Sequence, residues 1–130
     1  MIIAYLPDPE QHPLWPQIKA LLAKGAQISQ SKPYTSGEVV WLALDGETVI
    51  AAITTALTDD GEAEIRNCGG ARLKDWLPTC EETFCEWARN CGSDRLTMRG
   101  RKGWGRFAER LGWQPAGMDQ GFMVYEKGLS

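Results

Sequence analysis

The stretch VVWLALDGETVIAAITTAL, residues 39–57, constrains the fold more than any other part of the chain. Two runs rich in Val, Ile, Leu, Thr and Trp flank Asp45-Gly46. Asp-Gly between β-rich runs is a strong hairpin signal, because glycine accepts the positive φ of a tight turn. A second turn, TDDGE, leads into AEIRN, so residues 39–67 read as a three-strand antiparallel meander.

The flanks supply the remaining elements. IIAYL is a short apolar strand ended by Pro7 and Pro9. In PLWPQIKALLAKG, Leu14, Ile18, Leu21 and Leu22 recur at helical steps, with Pro16 tolerated in the first turn and Gly25 as the expected stop. After the meander, Leu73, Trp76, Leu77, Cys80, Phe84, Trp87, Ala88 and Cys91 share one helical face that ends at Gly92. This is the longest helix and must lie against the sheet. Pro78 lacks an amide hydrogen, which predicts regular helix only from about Trp76. DRLTMR then reads as a strand, GWGRFAERLG as a short helix, and WQPAGMDQGFMVYEK as two closing strands around a Gly117–Gly121 turn. The order is β-α-βββ-α-β-α-ββ. It predicts one α/β (α+β) domain over residues 1–130, with a mixed, mostly antiparallel sheet of about six or seven strands flanked by three or four helices.

Composition narrows the function classes. The 130 residues are 43% hydrophobic and 24% charged, which fits one globular domain and argues against disorder or fibre. No run approaches the roughly 18 apolar residues of a membrane span, and MIIAYLPDPEQHP meets proline and acid too early for a secretory signal. A cytoplasmic location is the expectation. A net charge of −3 opposes a general nucleic-acid binder. Cys68, Cys80, Cys85 and Cys91 lack the spacing of a CxxC metal site and read as buried free thiols. His12, the single histidine, lies beside Pro13 as a surface or capping residue, so neither a metal site nor a Ser/His/Asp triad is expected.

The stretch EAEIRNCGGARLKDWL is where a strand runs into glycines and then a helix. Arg66, Asn67, Cys68, Gly69, Gly70 and Ala71, at the end of a fourth strand and before a long helix, resemble the signature of the GNAT superfamily of acyl-CoA-dependent N-acetyltransferases: Arg or Gln, two residues, Gly, one residue, then Gly or Ala. The element order resembles that family over most of the chain. The resemblance implies acetyl-CoA or CoA as ligand, bound along residues 66–71, with the backbone amides of Gly69 to Ala71 and a helix N-terminus receiving its pyrophosphate. NCGG can equally be a β-to-α turn that needs positive φ.

The same resemblance exposes a departure. Many family members carry a general-acid tyrosine in the helix after the fifth strand, ahead of a Gly-Phe pair. In AERLGW, Gly112 and Trp113 stand for that pair and Ala108 stands where the tyrosine would be. Tyr125, on the last strand, is the speculative substitute acid. Family enzymes often deprotonate the amine with a carboxylate on the fourth or fifth strand. Glu62 and Glu64 alternate onto one face of the fourth strand and are the candidate bases, beside the plainer reading of solvent-facing glutamates.

RLTMRGRKGWGR gathers Arg95, Arg99, Arg101, Lys102 and Arg106 in an otherwise acidic chain. It reads either as an anion site, for cofactor phosphates or nucleic acid, or as a solvated basic face. Trp104 either stacks on a base or, as the better reading, caps the core. Gly100, Arg101, Gly103 and Trp104 also resemble a Gly-Arg-x-Gly-Trp element of small GNAT-fold proteins from phages and prophages. Two functions follow as expectations: an acyl-CoA-dependent N-acetyltransferase, or a catalytically silent GNAT-fold module that binds protein or nucleic acid. No pattern names the amine acceptor, and the closing strand pair exposes an edge able to add to a second copy's sheet.

Overall fold

The computed structural model describes residues 1–30, 32–100 and 105–129, with the backbone alone at 29 and 73. Its strands are β1 (Ile2–Leu6), β2 (Val39–Asp45), β3 (Thr48–Leu57), β4 (Ala63–Gly70), β5 (Arg95–Gly100), β6 (Gln114–Asp119) and β7 (Phe122–Gly128), and its helices are α1 (Trp15–Ser29), α2 (Leu73–Asn90) and α3 (Gly105–Arg110). They form one seven-stranded sheet in the order β1-β2-β3-β4-β5-β7-β6. Every neighbouring pair is antiparallel except β4 and β5. The expected element order is the observed one.

The sheet is covered on both faces at its centre. β3 is buried from Val49 to Ala56, as a central strand under two helical layers must be. On one face Ile18 and Leu22 of α1 pack with Val40, Leu42, Val49 and Ala52. On the other, Trp76, Leu77, Cys80, Phe84 and Ala88 of α2 and Ala108 of α3 pack with Trp41, Ile53, Ala63, Leu96 and Met98. Burying this apolar surface, at roughly 25 cal/mol per Å2, is the main favourable contribution to folding.

Several boundaries differ from expectation. α1 does not stop at Gly25 but continues to Ser29 and ends at Gln30 in the left-handed region. Gly25 instead lets the helix backbone rest on β4, since a Cβ there would collide with the Cys68 carbonyl. β4 does not end at Asn67 but runs through both glycines, pairing Gly69 with Ala52 and Gly70 with Ala51. α2 begins at Leu73 rather than near Trp76, with Pro78 inside it. The amide that Pro78 lacks would have served the carbonyl of exposed Lys74, which water can satisfy. The first hairpin turns on Gly46-Glu47, with Asp45 pairing Thr48. The last turns on Gln120-Gly121, leaving Gly117 within β6. Cys80 and Cys85 are buried, but Cys91, just past the end of α2, is exposed.

Candidate active site

The parallel ladder between β4 and β5 covers only Ala63 with Leu96, Glu64 with Thr97 and Ile65 with Met98. Beyond Ile65 the strands splay, because α1 holds the rest of β4 while β5 stays paired with β7. A β-bulge sits at the fork: Thr54 pairs Asn67 and Thr55 pairs Ile65, so Arg66 has no partner opposite on β3. Such an extra residue bends the strand and re-aims its side chains.

Two cavities meet at this split. One, of about 240 Å3, runs between α1, β4 and the start of α2, past Lys24, Gly25, Cys68, Gly69, Ala71 and Trp76. The other, of about 410 Å3, opens on the face that α1 leaves uncovered and is walled by Lys32, Glu64, Thr97, Asp119, Gln120 and Val124. Ile65, Arg66, Met98 and Arg99 belong to both.

The larger cavity is charged in pairs. Arg66 Nε donates to Glu64 Oε1 at 2.6 Å, and its Nη1 lies 3.7 Å from Glu38 Oε2. Glu38 Oε1 accepts the Thr35 amide at 3.1 Å. Glu38 is 8% exposed, and burial holds its carboxyl above the usual range although the Thr35 amide and Arg66 pull the other way. Across the split, Arg99 Nη1 donates to Asp119 Oδ2 at 3.0 Å, and its guanidinium lies 5.2 Å from the centre of the Phe122 ring.

The smaller cavity is less polar, and its glycines are occupied by protein. A Cβ on Gly69 would strike the Leu21 carbonyl of α1, and one on Gly70 would strike Ile50 and Ala51 of β3. The Ala71 amide donates to the Ile50 carbonyl at 3.1 Å. Asn67 is buried, with its side chain donating to the Lys32 carbonyl at 3.0 Å. Loss of solvent around the Cys68 thiol raises its pKa to about 12, so it is uncharged at neutral pH and a poor nucleophile. Arg72, in the left-handed region, leads into α2 and donates to both Asp45 and Asp75.

The structure brings Arg66, Asn67, Cys68, Gly69, Gly70 and Ala71 together along the smaller cavity and Glu64 into the larger. Glu62 faces the same side as Glu64 but pairs with Arg95 at the outer lip, 3.0 Å away, and walls neither cavity. Tyr125 walls neither cavity; it is buried on the α2 side, where a Cβ on Gly105 would lie 2.9 Å from its hydroxyl. Ala108 is fully buried. Arg101, Lys102 and Trp104 lie outside the described residues. Arg95 and Arg99 carry acidic partners, so those two cations are not a bare basic face. Among the described residues no group of three or more His, Cys, Asp or Glu is placed to hold a metal, and no helix is long and apolar enough to cross a membrane.

Lys24, Glu38 and Asp119 were missed in the sequence. Lys24 reads as the polar face of an amphipathic helix, Glu38 as a loop charge, and Asp119 lies twenty residues from the arginine it meets.

No protein-family model matches the sequence, and no curated protein sequence does. Solved structures match it over nearly its whole length. A GNAT family acetyltransferase from Elizabethkingia anophelis with acetyl-CoA bound superposes with a TM-score of 0.72 at 14% identity, covering 98% of this chain and 97% of that one. The aminoglycoside 6′-N-acetyltransferase from Enterococcus faecium gives 0.72 at 12%, covering 100% and 98%. An acetyltransferase from Bacillus subtilis in complex with CoA gives 0.71 at 12%, covering 98% of each chain. The fold is that of the GNAT acetyltransferases.

Proposed function

We propose that the protein is an acyl-CoA-dependent N-acyltransferase in which thioester and amine meet at the β4–β5 split. The observation that carries this reading is the pair of cavities sharing Ile65, Arg66, Met98 and Arg99: one leads to the start of α2, the other to a charged pocket on the opposite face. The splayed strands leave backbone edges that can pair with the amides of an extended arm, as a strand edge pairs with a peptide. The arm of acyl-CoA has that chemistry, and structures of this fold with acetyl-CoA or CoA bound support the choice.

The seat for its phosphates differs from the one the motif suggests. Space beside Gly69 and Gly70 is filled by α1 and β3, and the Ala71 amide is already engaged. The Leu73 and Lys74 amides at the start of α2 and the Lys24 ammonium at the cavity wall take that role instead, the Asp75 and Trp76 amides being bound to the Arg72 carbonyl. At the other mouth Glu64 receives the proton of an incoming ammonium. The amine nitrogen forms a bond to the thioester carbonyl carbon as the carbon–sulfur bond breaks, and the second proton that the nitrogen sheds passes through solvent to the leaving thiolate. Transfer is direct, since the neutral Cys68 thiol does not suit an acyl-cysteine intermediate.

Isothermal titration with acetyl-CoA tests this reading. Saturable binding in the micromolar range is expected, and no heat at millimolar ligand would sink it. The engaged Ala71 amide and the buried Ala108 support a second reading, a silent module of the same fold. A phage origin rests on Gly100, Arg101, Gly103 and Trp104 alone.

A further inference from the structure

The larger cavity carries opposite charges on two strands, and that pattern selects a ligand. Glu64 on β4 stands opposite Thr97 on β5, and Arg99 is two residues further along β5, on the same face as Thr97. Glu64 and Arg99 are therefore diagonal neighbours across the fork, on one face of the sheet. Both wall the same cavity. A ligand with an ammonium and a carboxylate a few bonds apart spans such a gap.

The two arginines are not equivalent. Arg66 is committed to Glu64 and to the buried Glu38 behind it, so removing it would strand a buried carboxylate. Arg99 is paired with Asp119, whose side chain is 56% exposed at the end of β6. Asp119 is therefore the solvent-accessible end of the pair, where a carboxylate from solution can take its place on Arg99. Phe122 under the guanidinium keeps its plane oriented through such an exchange. Between Glu64 and Arg99 this face carries Thr97, with Val124 of β7 beside Arg99.

We infer that the acceptor is a small zwitterionic amine, in its simplest form a free amino acid. Its ammonium lies against Glu64 and its carboxylate replaces Asp119 on Arg99. Deprotonation by Glu64 then leaves the amine facing the split while Arg99 holds the other end. The amine's role rests on the transferase reading; the carboxylate seat rests on the cavity alone.

The test is equilibrium binding of leucine, leucinamide and N-acetylleucine to the full chain, followed by chemical-shift titration with and without acetyl-CoA. Leucinamide lacks the carboxylate and is expected to bind about tenfold more weakly than leucine, the worth of one charge-assisted contact. Arg99→Gln should erase that difference, and Asp119→Asn, which removes the competitor, should tighten leucine binding several-fold. The opposite signs of the two substitutions separate a binding role from misfolding. N-acetylleucine, without an ammonium, should still prefer native Arg99 over the Gln variant. Equal binding of leucine and leucinamide, or leucine binding that ignores both substitutions, would overturn the inference even if acetyl-CoA binds. Discrimination that survives without any acetyl-CoA binding would uphold the carboxylate seat and remove the transferase reading.

Discussion

The two strands that flank the split are built in opposite ways. The far half of β4 is shaped by what its residues lack: Gly69 and Gly70 let the backbones of α1 and β3 fill the space where side chains would stand, and Gly25 meets them from the helix. β5 presents Thr97 and Arg99, which reach into a cavity that no helix covers. A glycine pair beside a helix start therefore makes a wall by close packing, and the charged groups line the cavity from the near half of β4 and from β5. This division explains how a motif that looks like a phosphate cradle can serve mainly to hold the split open.

The largest expected effect strikes the packed wall. Gly69→Ala places a methyl group against the Leu21 carbonyl, and backbone cannot yield as a flexible side chain can. Overpacking of this kind should cost about 3 kcal/mol, a large share of a typical 5–15 kcal/mol, measured as a lower midpoint in urea. A cost under about 0.5 kcal/mol would show that α1 and β4 are further apart than described.

A smaller effect separates the charged wall by pH. Burial raises the pKa of Glu38 above its unfolded-state value, so the folded protein holds a proton over a range where the unfolded chain has released it. That contribution is complete below the unfolded-state pKa, near about 4.3, and is lost as pH rises through the folded value. Native stability measured against Glu38→Gln should therefore fall as pH rises from about 4 toward neutrality. A flat difference would mean that Glu38 stays solvated. The smallest effect is the control: Gly37 has open space around its Cα and no positive φ, so Gly37→Ala should change stability by no more than about 0.5 kcal/mol.

Much of the fold was legible because its signals are local. The Asp45-Gly46 pair, the apolar spacing of α2 and the glycine beyond it act within a few residues, and the element order follows from them. The site was legible only on one side. Arg66 to Ala71 line a cavity as the motif suggests, yet whether a glycine frees space for a ligand or for a neighbouring helix depends on Leu21, far away in sequence. The bulge at Arg66 arises from register with β3, which no local pattern reports. Glu38 and Asp119 gain their roles only when β2, β4, β5 and β6 are brought into one sheet. The burial of Tyr125 on the α2 side of the sheet was not legible either.

The central claim is that the split, and not the glycine turn alone, receives the acyl-CoA arm. Hydrogen exchange with and without acetyl-CoA tests it most directly, because backbone edges that gain partners exchange more slowly. The account predicts protection in peptides covering residues 65–71 and 97–100, together with the first turn of α2. Protection confined to the β6–β7 hairpin, or none at saturating acetyl-CoA, would contradict it.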